Sequence, residues 1–114
     1  MRKLKLKIND KDYVLELNRE SIKWLEANNF SLDEFISKPV TNYDILWTSL
    51  FIKNHSEVSP KLALKLRETY EQDKGYKMVG KVVKFAIEEY TAFMNALADT
   101  NSDKMDEELE IIEA

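Results

Sequence analysis

Apolar and charged residues alternate strictly at the start of the chain. Leu4, Leu6 and Ile8 are separated by Lys5 and Lys7, and a second run sets Tyr13, Leu15 and Leu17 on one side with Val14 and Glu16 on the other. A period of two is that of a strand with one buried face. Between the runs lies Asn9-Asp10-Lys11-Asp12, whose Asn and Asp residues tolerate left-handed backbone and favour a turn. The spacing therefore predicts a β-hairpin over residues 1–17. A lone hairpin is marginal in water, so its apolar face has to pack on the remainder of the chain.

From residue 18 onward the period is helical. Asn18 is a candidate N-cap for a helix carrying Ile22 and Leu25, closed by Asn28-Asn29 in left-handed geometry. Ser31 caps a short turn through Leu32, Phe35 and Ile36, with Lys38-Pro39 as the hinge that ends it. Thr41 then reads as the N-cap of a helix reaching Asn54-His55, with Tyr43, Leu46, Trp47 and Leu50 as its core stripe. Ile45 and Ile52 fall on the opposite side, which predicts a central helix with two apolar faces. Ser59-Pro60 opens another helix, with Leu62, Leu66 and Tyr70 on one face and Gly75 as its stop. The last helix, over about 76–97, has the longest stripe: Val79, Val82, Val83, Ala86, Tyr90, Phe93, Met94 and Leu97. The expected fold is α+β and mainly α, a hairpin packed on a bundle of four to five helices. Its folded part is 1–98, and 99–114 is an acidic, flexible tail.

Composition sharpens this picture in three ways. With 114 residues, 44% of them apolar and 33% charged, the chain is long enough for one core and too hydrophobic to remain unfolded throughout. It contains no cysteine, which suits a reducing compartment, and neither an export signal nor a membrane-spanning run is legible. A cytoplasmic protein is expected. The net charge of −4 is unevenly placed: from residue 99 onward seven acids face Lys104 alone, leaving the body slightly positive at +2. That excess is too small to make nucleic acid the expected partner.

Catalytic parts are missing. His55 is the single histidine, so neither a metal centre nor a nucleophile with its base can be assembled in the usual way; a helix-end histidine near backbone carbonyls is the favoured reading. Gly75 and Gly80 do not have the spacing of a phosphate-binding loop. The acidic pairs Asp33-Glu34 and Glu88-Glu89 read as solvated helix faces. A helix-turn-helix over 41–73 would offer Lys61, Lys65 and Arg67 to DNA but dilutes them with Glu68 and Glu71. No enzyme activity, cofactor or metal is expected.

Two features point instead to binding. Met78 and Phe85, seven apart, lie off the main stripe of the last helix, and an exposed apolar patch on a small protein usually marks an interface. The tail ends in Leu109-Glu110-Ile111-Ile112, an apolar cluster suited to contact with a partner. Ile45, Ile52, Met78, Phe85, Leu109, Ile111 and Ile112 are the candidate partner-binding residues. A second apolar stripe serves a homo-oligomer as well as a foreign partner.

The ordered features also resemble a family. Leu6-Lys7-Ile8-Asn9-Asp10-Lys11-Asp12-Tyr13, then Arg19-Glu20-Ser21-Ile22-Lys23-Trp24-Leu25-Glu26 and Phe30, then Lys38-Pro39 and Leu46-Trp47 through Lys53-Asn54-His55, are similar to the tail assembly chaperones of long-tailed, siphovirus-type bacteriophages and prophages, especially those of Gram-positive hosts. The likeness covers the first half of the chain well; the rest matches by size, helicity and acidic end. Asp10 and Asn29 stand where such proteins often have glycine, and both residue types reach positive φ at modest cost. The resemblance implies a protein of the infected or lysogenic cell, absent from the finished virion. It would bind the tape measure protein, keep it soluble and help recruit tail tube subunits, in many relatives through a frameshifted longer form. Another phage or mobile-element adaptor, or a small DNA-binding regulator, are the competing readings.

Overall fold

The computed structural model describes residues 2–35 and 37–99. Its elements run β1 (Lys3–Ile8), β2 (Lys11–Glu16), α1 (Arg19–Ala27), α2 (Pro39–Ser49), α3 (Pro60–Lys74) and α4 (Tyr76–Ala98). An antiparallel N-terminal hairpin followed by four helices is the α+β, mainly helical architecture the periodicity predicts.

The hairpin turn is tighter than the four polar residues suggested. Ile8 pairs with Lys11, leaving only Asn9 and Asp10 as the turn, both in the left-handed region with φ of 51° and 63°. Positive φ at both central residues is the type I′ geometry whose twist matches that of the strands, so Lys11 and Asp12 join β2. Leu6, Ile8, Tyr13, Leu15 and Leu17 are buried in the core. Asn18 caps α1 as expected, its Oδ1 accepting from the Ser21 amide at 3.0 Å. Asn29, at φ 59°, lets the Phe30 amide bond back to the Leu25 carbonyl at 3.0 Å, which closes the helix.

Pro39 opens a helix rather than ending one. Its missing N–H and fixed φ suit the first helical position, and α2 begins there, with Thr41 inside the first turn instead of at the cap. The segment 32–35 makes turns, not a fifth helix. Asn42, buried on α2, ties it down through Nδ2 to the carbonyls of Lys38 at 2.8 Å and Glu34 at 3.4 Å. The far end of α2 is also earlier than expected. Hydroxyls of Thr48 and Ser49 bond back to the carbonyls of Asp44 and Leu46, and the chain continues in tight turns through Asn54. Those turns bury Phe51 against Trp47, with ring centroids 5.7 Å apart.

Leu46, Trp47, Leu50 and Phe51 form the centre of the core. Trp47 donates its indole N–H to the Ala63 carbonyl at 2.8 Å, fastening α2 to α3. On α3 the buried face is Ala63, Leu66 and Tyr70, and on α4 it is Val79, Val82, Val83, Ala86 and Glu89. Tyr43 and Leu62, expected in core stripes, are exposed, because α2 and α3 face each other through Trp47 and Ala63, a little round the helix from each.

Candidate interaction surfaces

The two edges of the hairpin differ. In an antiparallel pair, alternate residues direct their N–H and C=O away from the partner strand. On β2 those of Val14 and Glu16 are met: the Val14 amide donates to His55 Nε2 at 3.0 Å, Asn54 Nδ2 donates to the Val14 carbonyl at 3.2 Å, and the Glu16 amide donates to the Leu50 carbonyl at 3.3 Å. The loop after α2 thus seals one side of the sheet. On β1 the residues opposite these are Lys5 and Lys3, and Lys7 shares their orientation. Among the described residues no hydrogen bond reaches their outward backbone groups. A groove of about 890 Å³ runs along this edge, between Leu4, Leu6 and Ile8 on one wall and Tyr70, Asp73 and Met78 on the other.

His55 is therefore a capping residue for the sheet. A ring nitrogen that accepts from an amide carries no proton, so the hydrogen sits on Nδ1, which faces Glu57 Oε1 at 3.4 Å. The ring also packs edge-on to Tyr13, with centroids 5.1 Å apart. Sequence reasoning placed His55 at a helix end for its charge; the structure uses its Nε2 as an acceptor for the Val14 amide. The Glu57 carboxyl is held below its ordinary range by a hydrogen bond from its own backbone amide and by His55.

Four of the seven residues singled out as partner-binding are among the described residues, and all four are half-buried. Ile45, Met78 and Phe85 are half-buried and pack against the core, and Ile52 is half-buried in the turns after α2. Met78 belongs to the β1 groove. Phe85 is covered in part by Arg2, whose guanidinium lies 5.3 Å from the ring centre. Leu109, Ile111 and Ile112 lie outside the described residues.

Exposed apolar surface is found where the long stripe of α4 outruns the core. Met94 and Leu97 are 40% and 52% exposed, beyond Phe93 and beyond Tyr90, which still stacks edge-on against Phe30 at 5.2 Å. Periodicity assigned these residues to the stripe, yet could not show that their last turns extend past the core formed by the described residues. A smaller patch at the start of α2 comprises Pro39, Val40 and Tyr43 around a hollow of about 130 Å³.

Several charges on the helices are paired. Glu89, 5% exposed on α4, is held by Arg2 from the start of β1, and that pairing raises the Arg2 pKa. Arg67 on α3 reaches Asp44 on α2 at 3.0 Å and Glu71 at 3.1 Å. Its Nε, though close to Asp44, is out of line for a hydrogen bond and has no partner among the described residues. Partial burial raises the Asp44 pKa despite Arg67, which acts the other way. The helix that would enter a DNA groove in a helix-turn-helix thus has one of its three bases tied to two acids. Among the described residues no three acidic or histidine side chains converge as a metal site, and no helix is long and apolar enough to cross a membrane.

Residues 1–111 match the family described as Domain of unknown function (DUF5055), and the chain belongs to that family. No curated protein and no solved structure matches it.

Proposed function

We propose that the protein is a tail assembly chaperone of a long-tailed phage or prophage, which binds the tape measure protein, keeps it soluble and helps bring tail tube subunits to it. The observation that carries the reading is the outer end of α4, where Met94 and Leu97 continue an apolar stripe past the core. An apolar stripe on a rigid helix is suited to hold a second amphipathic helix, and a tape measure protein is a long, largely helical client. The acidic stretch after α4 adds charge that would keep the complex in solution. The resemblance of residues 6–55 to such chaperones supports the same reading. Holding a client needs surface and solubility but no chemistry, so the proposal includes no catalytic step and no cofactor. It places the protein in the host cytoplasm and outside the mature particle.

The test is coexpression with the tape measure protein encoded beside it. The tape measure should move from the insoluble to the soluble fraction and copurify with this chain. Met94→Asp combined with Leu97→Asp should abolish copurification while the variant itself stays folded. A tape measure equally insoluble with and without this protein would sink the reading.

A further inference from the structure

The open edge of β1 and its groove have a segment of complementary sequence within the same chain. We infer that Glu108–Ile111 docks along β1 as a third strand, running parallel to it, with Leu109 and Ile111 directed into the groove and Glu108 and Glu110 beside the lysines of β1.

Three observations carry this. On the β2 edge the backbone groups of Val14 and Glu16 are met by Leu50, Asn54 and His55, while those of Lys3, Lys5 and Lys7 meet no equivalent among the described residues; an unsealed strand edge is a template for another strand. The charge fits as well. Lys5 has only a 3.6 Å contact to exposed Asp12, and among the described residues Lys3 and Lys7 have no acidic partner. Pairing β1 with β1 of a second copy would bring two such lysine rows together, which like-charge repulsion opposes. The segment Glu108-Leu109-Glu110-Ile111 instead alternates acid and apolar residues, with the period of two that an added strand requires.

Reach and direction agree. β1 runs antiparallel to α4, since Arg2 meets Glu89 while the Ile8 end shares the groove with Met78. A segment returning from Ala98 therefore runs parallel to β1. The nine steps along α4 from Glu89 to Ala98 span about 14 Å at helical rise, and the nine residues 99–107 can cover up to about 30 Å when extended. A tethered segment also competes at high effective concentration against any free peptide. The family match extends to residue 111 and so takes in this segment. The inference is independent of the client proposed above.

Because the chain has no cysteine, Glu113→Cys gives a single site for a nitroxide label on the full-length protein. In the labelled, ¹⁵N-enriched chain, amide signals of Lys3–Ile8 and of residues 69–73 should lose more than half their intensity. Adding Leu109→Asp and Ile111→Asp should restore them, and so should high salt in part. In unlabelled chain the Lys5 and Lys7 amides should exchange with solvent at least tenfold more slowly than in the doubly substituted variant. Unaffected signals with unprotected Lys5 and Lys7 would overturn the inference. Broadening that appears equally when labelled unenriched chain is mixed with unlabelled ¹⁵N chain would overturn it too, by assigning the groove to a second copy.

Discussion

His55 Nε2 accepts the backbone N–H of Val14 across 41 residues of sequence, at 3.0 Å. This bond, with the neighbouring contacts of Asn54 and Leu50, makes the loop after α2 the lateral cover of the hairpin along Val14 and Glu16, while among the described residues the β1 edge has no such cover. The asymmetry between the edges gives the hairpin a direction for growth, and it rests on a residue that looks incidental in the sequence.

Replacing His55 by alanine leaves the Val14 amide unpaired and removes the ring from Tyr13. A loss of about 1–3 kcal/mol is expected for stranding a buried donor, read by urea denaturation. Faster amide exchange at Val14, with Tyr13 and Leu15 still protected, would locate the damage at the strand edge.

Trp47→Phe keeps most of the aromatic volume but removes the indole donor to the Ala63 carbonyl, which keeps its place inside α3. The expected cost is about 1–3 kcal/mol, combining one lost buried hydrogen bond with a cavity where the larger ring stood. A loss below about 0.5 kcal/mol in denaturant titration would contradict the role assigned to this contact.

Apolar residues at the two ends of α4 should behave oppositely. Phe85→Ala removes a half-buried ring that packs on the core and under Arg2, and should destabilise by about 1–3 kcal/mol. Met94→Asp and Leu97→Asp alter exposed positions and should each stay within about 0.5 kcal/mol of the parent. Thermal melts of the three variants decide the matter before any partner is added.

Asp44 sets an acid-range dependence. Burial raises its folded pKa above the unfolded one, so the folded state holds its proton more tightly. Its contribution to stability is fully present below the unfolded pKa and is lost as pH rises through the folded value. The stability of the parent minus that of Asp44→Asn should therefore fall as pH rises across the acidic titration of this carboxyl, in parallel urea titrations; an increase would contradict the burial argument.

Glu89 makes the last prediction. Arg2 is its ionic partner among the described residues, so Arg2→Met should lower the melting temperature by stranding a buried carboxylate. Glu89→Gln, which removes that charge, combined with Arg2→Met should recover part of the loss. A double variant no more stable than Arg2→Met alone would count against the pairing.

The sequence by itself determined what depends on neighbours along the chain. The alternation of Leu4, Leu6 and Ile8 with lysines, the Asn18 and Ser59 caps, the stop at Gly75 and the positive φ at Asp10 and Asn29 all arise from local sterics and hydrogen bonding. Pro39 shows the limit of such reading, because a proline both disfavours helix before it and pre-forms the helix after it, and the Asn42 bonds to Lys38 and Glu34 belong to the second case. Only the tertiary structure decided which apolar residues had something to pack against. Tyr43, Leu62, Met94 and Leu97 have the right period and yet are exposed among the described residues, whereas Ala63 and Phe51 carry weak local signals and are buried. Burial is a property of the partner surface as much as of the residue, and the partner is distant in sequence. For the same reason His55 became the seal of one sheet edge, and the other edge emerged as the groove beside Lys3, Lys5 and Lys7.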